Sequence, residues 1–170
     1  TFEVSLWRYR ERLPVEPLVT LGEGDTPLIR APHLSKLTGA DVWLKLENLQ
    51  PIGSFKLRGA ANAMLLAGPE RVADGVYTAS AGNMAQGVAW VARDLGVECT
   101  VVAPEHAPAA KLEAIERLGG RTILVPYETW WESMSSGTYP GLTGLFVHPV
   151  LDERVMAGNG TIGLELAEQL

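Results

Sequence analysis

The sequence predicts an α/β protein of three layers, in which a parallel sheet carries helices on both faces. From Gly75 onward, short apolar stretches alternate with amphipathic stretches at helical spacing. The connections between them are short, and strand–helix alternation of this kind produces a parallel sheet with right-handed crossovers. The composition agrees, because a chain of 170 residues with 46% hydrophobic and 20% charged residues is typical of a folded globular protein.

The first 74 residues carry fewer regular elements. Residues 1–27 are rich in proline, glycine and charge, and we expect them to form an arm. Residues 40–47 (ADVWLKLE) alternate apolar and charged side chains, which predicts a strand. Apolar residues at helical spacing follow Gly53 and Ser54 and stop before Gly68-Pro69, so a helix is predicted from Lys56 to about residue 67.

Residues 75–149 alternate regularly and form a small four-stranded unit. The predicted strands are GVYTAS (75–80), VECTVVA (97–103), RTILVP (121–126) and GLFVHP (144–149). The predicted helices between them are 83–96, 107–120 and 127–137, the first two closed by glycine. A further helical pattern occupies GTIGLELAEQL (160–170). It stops without a cap and the chain begins with threonine, so we expect an incomplete chain.

Charge and composition exclude several function classes. A net charge of −6 without a basic cluster argues against nucleic-acid binding. The single cysteine, Cys99, lies in a predicted strand and favours a core position in a reducing cytoplasm. No apolar run is long enough to cross a membrane. His33, His106 and His148 lack the spacing of a metal site, so no metal is expected.

Lys56 is the first candidate for chemistry. Most lysines are solvated surface residues. A lysine in the first turn of a helix is less ordinary, because the helix dipole and the unpaired N–H groups make that end positive. Such a place lowers the cost of losing the proton, and the neutral amine is the form that makes a Schiff base. Phe55, directly before it, could pack on a flat cofactor ring.

The stretch SAGNMAQG (80–87) is the second candidate. It follows the first strand of the alternating set, at the carboxyl end where open α/β sheets bind ligands. Gly82 permits close approach to the backbone, and Ser80, Asn83 and the N–H groups of the helix start form an anion-binding surface. The alternative is an ordinary capped turn, which commonly uses the same residue types.

Two further patterns are given structural roles. GNGTIG (158–163) matches G-x-G-x-x-G, but it follows no clear strand, so we reject a dinucleotide site and expect a turn leading into the last helix. Trp130 and Trp131 are expected to supply one core ring and one surface ring.

Four blocks together resemble a known family. LGEGDTPL, WLKLENLQPIGSFKLRGA, SAGNMAQGVAW and FVHPVLDERVMAGNGTIGLEL occur in this order from about residue 21 to residue 170. They resemble the fold-type II pyridoxal-phosphate enzymes, which include threonine dehydratase, serine dehydratase, serine racemase and threonine synthase. The lysine block is highly specific.

The resemblance implies roles for individual residues. Lys56 would hold pyridoxal 5'-phosphate as an internal aldimine and act as general base on the substrate Cα. Phe55 would lie against the cofactor ring, and Asn83 would hydrogen-bond its 3-hydroxyl. The substrate carboxylate would be bound by Ser80, Ala81, Gly82 and Asn83.

The resemblance also implies an architecture and partners. Residues 75–149 would be the smaller domain, and residues 1–74 and 150–170 would belong to a larger, incomplete cofactor-binding domain. The partners would be a small amino-acid substrate and further copies of the chain in a homo-oligomer.

The implied reaction is β-elimination from threonine or serine, which gives a 2-oxo acid and ammonia. Two alternatives stay open. LGEGDTPL also suggests a threonine synthase-like enzyme, and a truncated non-catalytic relative could act as a binding module. Met84 stands where the family usually has histidine, and Ala81 where racemases carry a serine used in proton transfer. The family's glycine-rich phosphate loop and its polar partner of the pyridine nitrogen have no counterpart before Leu170.

Overall fold

Strands and helices alternate through the part of the chain that the structure, a computed structural model, describes: residues 4–13 and 22–170. In chain order the elements are a 3-10 helix Leu6–Arg12, β1 Leu28–Arg30, α1 Pro32–Thr38, β2 Trp43–Lys45, a 3-10 helix Glu47–Leu49, α2 Lys56–Ala67, α3 Pro69–Val72, β3 Val76–Ala79, α4 Asn83–Leu95, β4 Cys99–Pro104, α5 Ala109–Arg117, β5 Arg121–Val125, α6 Tyr127–Ser136, β6 Leu145–Phe146 and α7 Glu153–Gln169.

The four predicted strands form one parallel sheet in the order β5-β4-β3-β6. The chain moves outward from β3 through β4 to β5 and then returns to the other side of β3 as β6. Strand order therefore reverses between β3 and β6. In open α/β sheets this switch point opens a crevice at the carboxyl ends of the strands, and ligands bind there.

Helices cover both faces of the sheet, so the predicted three-layer α/β class is confirmed. Val101 of β4 belongs to the larger core with α2 and α4, whereas its neighbour Val102 packs on the opposite face with residues of α6. This alternation follows from the two-residue period of a strand. Cys99 is buried in the larger core, Trp130 packs in the smaller one, and Trp131 is 51% exposed, as expected.

A second, two-stranded sheet precedes this unit. β1 and β2 pair antiparallel, and Ile29, Trp43 and Leu44 on them are exposed. The strand predicted at 40–47 is present but spans only Trp43–Lys45. The division into a smaller domain, 75–149, and a larger one stays a prediction.

The expectation of an arm over residues 1–27 is wrong where the structure describes it. The 3-10 helix Leu6–Arg12 packs inward, with Leu6 and Trp7 fully buried. The Leu6 N–H donates to the Glu23 carbonyl at 2.8 Å. Apolar side chains at the helix start outweigh the charged composition of the segment. The rest of the predicted arm, 1–3 and 14–21, lies outside the described residues.

The turn expected at GNGTIG is also wrong, because the whole motif lies inside α7. The helix begins at Glu153, where the Asp152 side chain caps the Arg154 N–H at 2.9 Å. Glycine serves helix packing here: α2 crosses so closely that a Cβ added at Gly158 would lie 2.8 Å from the Asn62 Cβ and would collide with the Arg58 carbonyl. A glycine pattern typical of a turn thus marks a close contact between two helices.

Two other boundaries differ from prediction. β6 comprises only Leu145–Phe146, although the Val147 N–H still donates to the Tyr77 carbonyl at 2.8 Å. Pro149 stops the pairing soon afterwards, because proline has no N–H to donate. α5 begins at Ala109, directly after Pro108, and is shorter than the predicted 107–120.

Candidate active site

Lys56 is the first residue of α2, as predicted. The Ser54 hydroxyl accepts the Lys56 N–H at 3.3 Å and so caps the helix start. The side chain is half-buried, and its Nζ donates to the Pro149 carbonyl at 3.2 Å. Nζ also lies 5.1 Å from the centroid of the Phe55 ring, which is 37% exposed. The amine therefore has a neutral hydrogen-bond acceptor and an aromatic face beside it.

The contact with Pro149 places the amine at the carboxyl edge of the parallel sheet. Pro149 follows β6, the strand beside β3 at the switch point. The Thr78 hydroxyl donates to the Val147 carbonyl at 2.8 Å, which keeps the chain after β6 against β3. Lys56 thus reaches the crevice in which this sheet topology binds ligands.

The loop Ser80–Asn83 leaves β3 at the same edge. The Ser80 N–H donates to the Val102 carbonyl at 3.1 Å, and the Gly82 N–H donates to the Ser80 hydroxyl at 3.3 Å. A Cβ added at Gly82 would meet nothing within 4 Å, so the space above this residue is open. Asn83, the first residue of α4, is exposed. A ligand can therefore approach the loop backbone directly.

The start of α4 favours an anion. Gly82 occupies the N-cap position and makes no side-chain cap. The N–H groups of a first helical turn lack partners within the helix, and the helix dipole adds a partial positive charge. A carboxylate or phosphate bound at this end would satisfy both features.

A close helix contact fixes the lysine relative to this loop. A Cβ added at Gly87 would lie 3.3 Å from the Lys56 carbonyl oxygen and 3.3 Å from the Ala60 Cβ. Gly87 stands about one helical turn after Asn83. Because α2 and α4 touch here without an intervening side chain, Lys56 and Ser80–Asn83 share one edge of the molecule. Their individual roles stay predictions.

Met84 does not face this edge. Its side chain is 2% exposed and packs in the larger core, whereas the preceding Asn83 is exposed. Met84, at the position where the resemblance implies a histidine, is therefore a core residue.

A buried ionic cluster next to Lys56 was missed by the sequence analysis. The fully buried Arg58 binds Glu165 at 2.5 and 2.8 Å and Glu47 at 2.7 and 3.0 Å. Lys45 joins it with a 2.6 Å ion pair to Glu165. Arg58 and Glu165 are 107 residues apart, and no local pattern announces such a pairing.

The cluster shifts the pKa of its central carboxylate. Burial alone would raise the pKa of Glu165, but hydrogen bonds from Arg58, Lys45 and the Asp25 N–H lower it from 4.5 to about 2. The cluster joins α2 to α7 and to the segment before α2. Because Arg58 lies two residues after Lys56, the cluster anchors the start of α2, which carries Lys56.

Among the described residues, metal ligands and the cysteine thiol give no second candidate site. Within residues 4–13 and 22–170, no group of three or more His, Cys, Asp or Glu side chains could hold a metal ion. Burial raises the pKa of the Cys99 thiol to about 12, which leaves it unreactive as a nucleophile. Among the helices of these same two ranges, none has the length and hydropathy needed to span a membrane.

Known proteins resemble this chain in sequence and in fold. The sequence profile of a family described as pyridoxal-phosphate dependent enzymes matches residues 19–170. The chain belongs to this family. The resemblance to pyridoxal-phosphate enzymes is thereby confirmed, and so is pyridoxal phosphate as the family's cofactor.

Two curated relatives illustrate the similarity. L-threonine dehydratase catabolic TdcB of Staphylococcus aureus (strain N315) is 46% identical over 149 residues, which make up 85% of this chain and 42% of that protein. L-threonine ammonia-lyase of Thermotoga maritima is 43% identical over 148 residues, 85% of this chain and 36% of that protein. The chain thus spans less than half the length of either relative.

Solved structures agree on the fold. Serine racemase from Dictyostelium discoideum superimposes with a TM-score of 0.75 at 37% identity, covering 85% of this chain and 47% of that one. The processed form of threonine deaminase isoform 2 from Solanum lycopersicum gives a TM-score of 0.72 at 36% identity, covering 85% of this chain and 40% of that one. The fold is therefore that of fold-type II pyridoxal-phosphate enzymes.

The described residues fit this cofactor. Lys56 offers a half-buried primary amine that donates to the neutral Pro149 carbonyl. Such an amine suits covalent attachment to an aldehyde. Phe55 offers a partly exposed ring beside that amine. Open space above Gly82 leaves room for a ligand that meets the α4 start.

Proposed function

We propose that the full-length protein is a pyridoxal-phosphate-dependent ammonia-lyase that acts on a β-hydroxy amino acid such as threonine or serine. The observation that carries the proposal is the Lys56 amine at the switch point of the sheet, on the same edge as the open loop Ser80–Asn83. The names of the relatives, L-threonine dehydratase and L-threonine ammonia-lyase, support the choice of reaction.

Lys56 has two tasks in this proposal. Its Nζ is the attachment point of the cofactor, and after the substrate displaces it the freed amine takes the proton from the substrate Cα. The bound cofactor supplies the electron sink for the electrons of the broken C–H bond. The Pro149 carbonyl, 3.2 Å from Nζ, keeps the amine at the sheet edge while it is free.

The loop Ser80–Asn83 holds the substrate in this proposal. The N–H groups at the start of α4 bind the substrate carboxylate, as a helix N-terminus does for anions. Asn83, exposed on the first turn, hydrogen-bonds the 3-hydroxyl of the cofactor. Phe55 packs against the cofactor ring.

Ala81 favours elimination over racemisation. Its side chain is a methyl group that packs partly against the core, so it offers no hydroxyl to reprotonate Cα from the second face. The net change is then loss of water across Cα and Cβ, because the Cα proton goes to Lys56 and the hydroxyl leaves from Cβ. The released enamine takes up water and loses ammonia, which leaves the 2-oxo acid.

The division of the chain belongs to the same proposal. Residues 75–149, which contain the whole parallel sheet, form the smaller domain, and residues 1–74 and 150–170 belong to the larger one. The separate β1–β2 sheet supports this division. We propose a homo-oligomer by analogy with the family, and the cytoplasm as its location.

The test is product formation by the full-length protein. Incubation with threonine or serine and pyridoxal phosphate should yield the 2-oxo acid and ammonia in equal amounts. Lys56→Arg should lower the rate by more than about 100-fold, because it removes the attachment point and the base. Lys36→Arg, an exposed residue of α1, serves as the control and should leave the rate unchanged. An active Lys56→Arg variant would overturn the proposal.

A further inference from the structure

His148 makes an unusual pair of contacts beside the lysine site. Its Nδ1 accepts two backbone N–H groups, from Val150 at 3.0 Å and from Leu151 at 2.9 Å. The imidazole also packs perpendicular to the Phe146 ring, with ring centroids 5.8 Å apart and an interplanar angle of 87°. A ring nitrogen that accepts hydrogen bonds carries no proton, so a neutral imidazole with its proton on Nε2 is the form that fits these contacts.

These two hydrogen bonds close a short turn around Pro149. Val150 and Leu151 are 59% and 71% exposed, so packing of their side chains does little to hold the turn. The imidazole does this instead, in the way that Asn or Asp side chains organise a turn by accepting N–H groups two and three residues on. The carbonyl of the enclosed Pro149 is the acceptor of the Lys56 amine.

We propose that His148 is a positioning residue for Lys56, an inference that rests on the proposed function. The neutral imidazole fixes the turn, the turn fixes the Pro149 carbonyl, and that carbonyl orients Nζ. An amine that donates an N–H to this oxygen directs its lone pair away from it. His148 thereby sets the direction from which Lys56 meets an aldehyde, without touching the ligand.

The test compares two variants of the full-length protein whose new side chains have the same shape. Leucine and asparagine branch alike at Cγ, but only asparagine offers an oxygen that can accept the Val150 and Leu151 N–H groups. His148→Leu should slow covalent attachment of pyridoxal phosphate to Lys56 by about fivefold, the value of one net hydrogen bond. His148→Asn should restore most of the rate. Attachment is followed by borohydride reduction and mass spectrometry of the Lys56 peptide.

Three further measurements distinguish a positioning role from a general loss of folding. Thermal unfolding midpoints of the two variants identify any global loss of folding, and the comparison is read at a temperature where both are folded. His33→Leu, on the exposed helix α1, is the histidine control and should leave the attachment rate unchanged. The ¹⁵N spectrum of the unchanged chain should show His148 Nδ1 unprotonated and Nε2 protonated, independently of any cofactor.

The outcomes separate the two proposals. Equal attachment rates for His148→Leu and the unchanged chain would overturn the positioning role and leave the proposed function standing. Equal slowing in His148→Leu and His148→Asn, with both folded, would also overturn it, because the acceptor would then be irrelevant. A full-length protein with His148 unchanged that is not labelled at Lys56 would overturn the proposed function, and the inference with it.

Discussion

Arg58 and Lys56 stand two residues apart at the start of α2, yet their side chains differ in burial and in the charge of their partners. Arg58 is fully buried and held by two carboxylates, Glu47 and Glu165, and by the Thr161 hydroxyl at 3.0 Å. Lys56 is half-buried, and its Nζ donates a hydrogen bond to the neutral Pro149 carbonyl. Removing a partner of Arg58 should lower the unfolding free energy, whereas altering Lys56 should leave the fold intact and remove its chemistry.

The difference explains how one helix end can be both rigid and reactive. A buried charge is tolerated only when opposite charges and hydrogen bonds compensate its desolvation, which makes Arg58 a fixed point. An amine with a weak neutral partner loses little when it exchanges that partner for a covalent bond. The fixed point holds the helix, and the helix presents the amine.

The largest expected effect on stability comes from removing a carboxylate that holds Arg58. Glu165→Gln leaves the buried Arg58 with one carboxylate, Glu47, instead of two, and removes the carboxylate that pairs with Lys45. We expect a loss of about 3–5 kcal/mol in unfolding free energy, typical of a broken buried ion pair. Chemical denaturation measures it. Glu113→Gln, which removes an exposed i,i+4 pair with Arg117, is the matched control and should change little.

Acid should weaken the same cluster without mutation. The pKa of Glu165 is lowered from 4.5 to about 2 in the folded protein, so the ionised form is favoured by folding. Its contribution is present above the unfolded pKa and is lost as the pH falls through the folded pKa. This amounts to roughly 3 kcal/mol at neutral pH. Urea unfolding between about pH 5 and 2 should show this loss, and Glu165→Gln should lack it.

A smaller effect tests the contact that holds α2 against α7. Gly158→Ala forces a Cβ against the Arg58 carbonyl and the Asn62 side chain, so it should cost about 1–3 kcal/mol. Gly160→Ala lies in the same motif, where an added Cβ meets nothing within 4 Å. It should stabilise the helix by about 0.5–1 kcal/mol. Equal effects of the two substitutions on the denaturation midpoint would refute the packing role.

The smallest expected loss of stability comes from replacing Lys56. Lys56→Met keeps most of the apolar stem and removes one hydrogen bond to Pro149. The unfolding free energy should fall by no more than about 1 kcal/mol. Arg58→Met, two residues along the same helix, leaves Glu165 with Lys45, removes the ion pair of Glu47, and should cost several times more. Denaturation curves measure the loss of unfolding free energy in both variants. Equal losses would contradict the difference drawn between Lys56 and Arg58.

The sequence predicted the parts of the fold that local patterns determine. The bounds of α2 and the glycine that ends α4 follow from apolar spacing and capping residues, and both are confirmed. The parallel sheet follows from strand–helix alternation. GNGTIG misled because glycine in a turn and glycine at a close helix crossing look alike in one sequence, and only the partner helix α2 distinguishes them.

The candidate site could be predicted only in part. Lys56 and Ser80–Asn83 stand in recognisable blocks, and the sheet topology brings them to one edge. The ionic cluster depends on partners more than 100 residues apart, Arg58 and Glu165. The turn that connects Lys56 to His148 depends on a backbone carbonyl and two backbone N–H groups. Contacts made by backbone atoms cannot be predicted from residue types, because nearly every residue type has the same backbone groups.

The most direct test of the central claim is to ask which amine takes the cofactor. The chain has four lysines: Lys36 and Lys111 are exposed, Lys45 is paired with Glu165, and Lys56 lies at the switch point. The full-length protein is incubated with pyridoxal phosphate, reduced with borohydride and digested, and the modified lysines are mapped by mass spectrometry. The account predicts a single adduct, on the peptide that contains Lys56. Adducts distributed over Lys36 and Lys111 with none at Lys56 would contradict it.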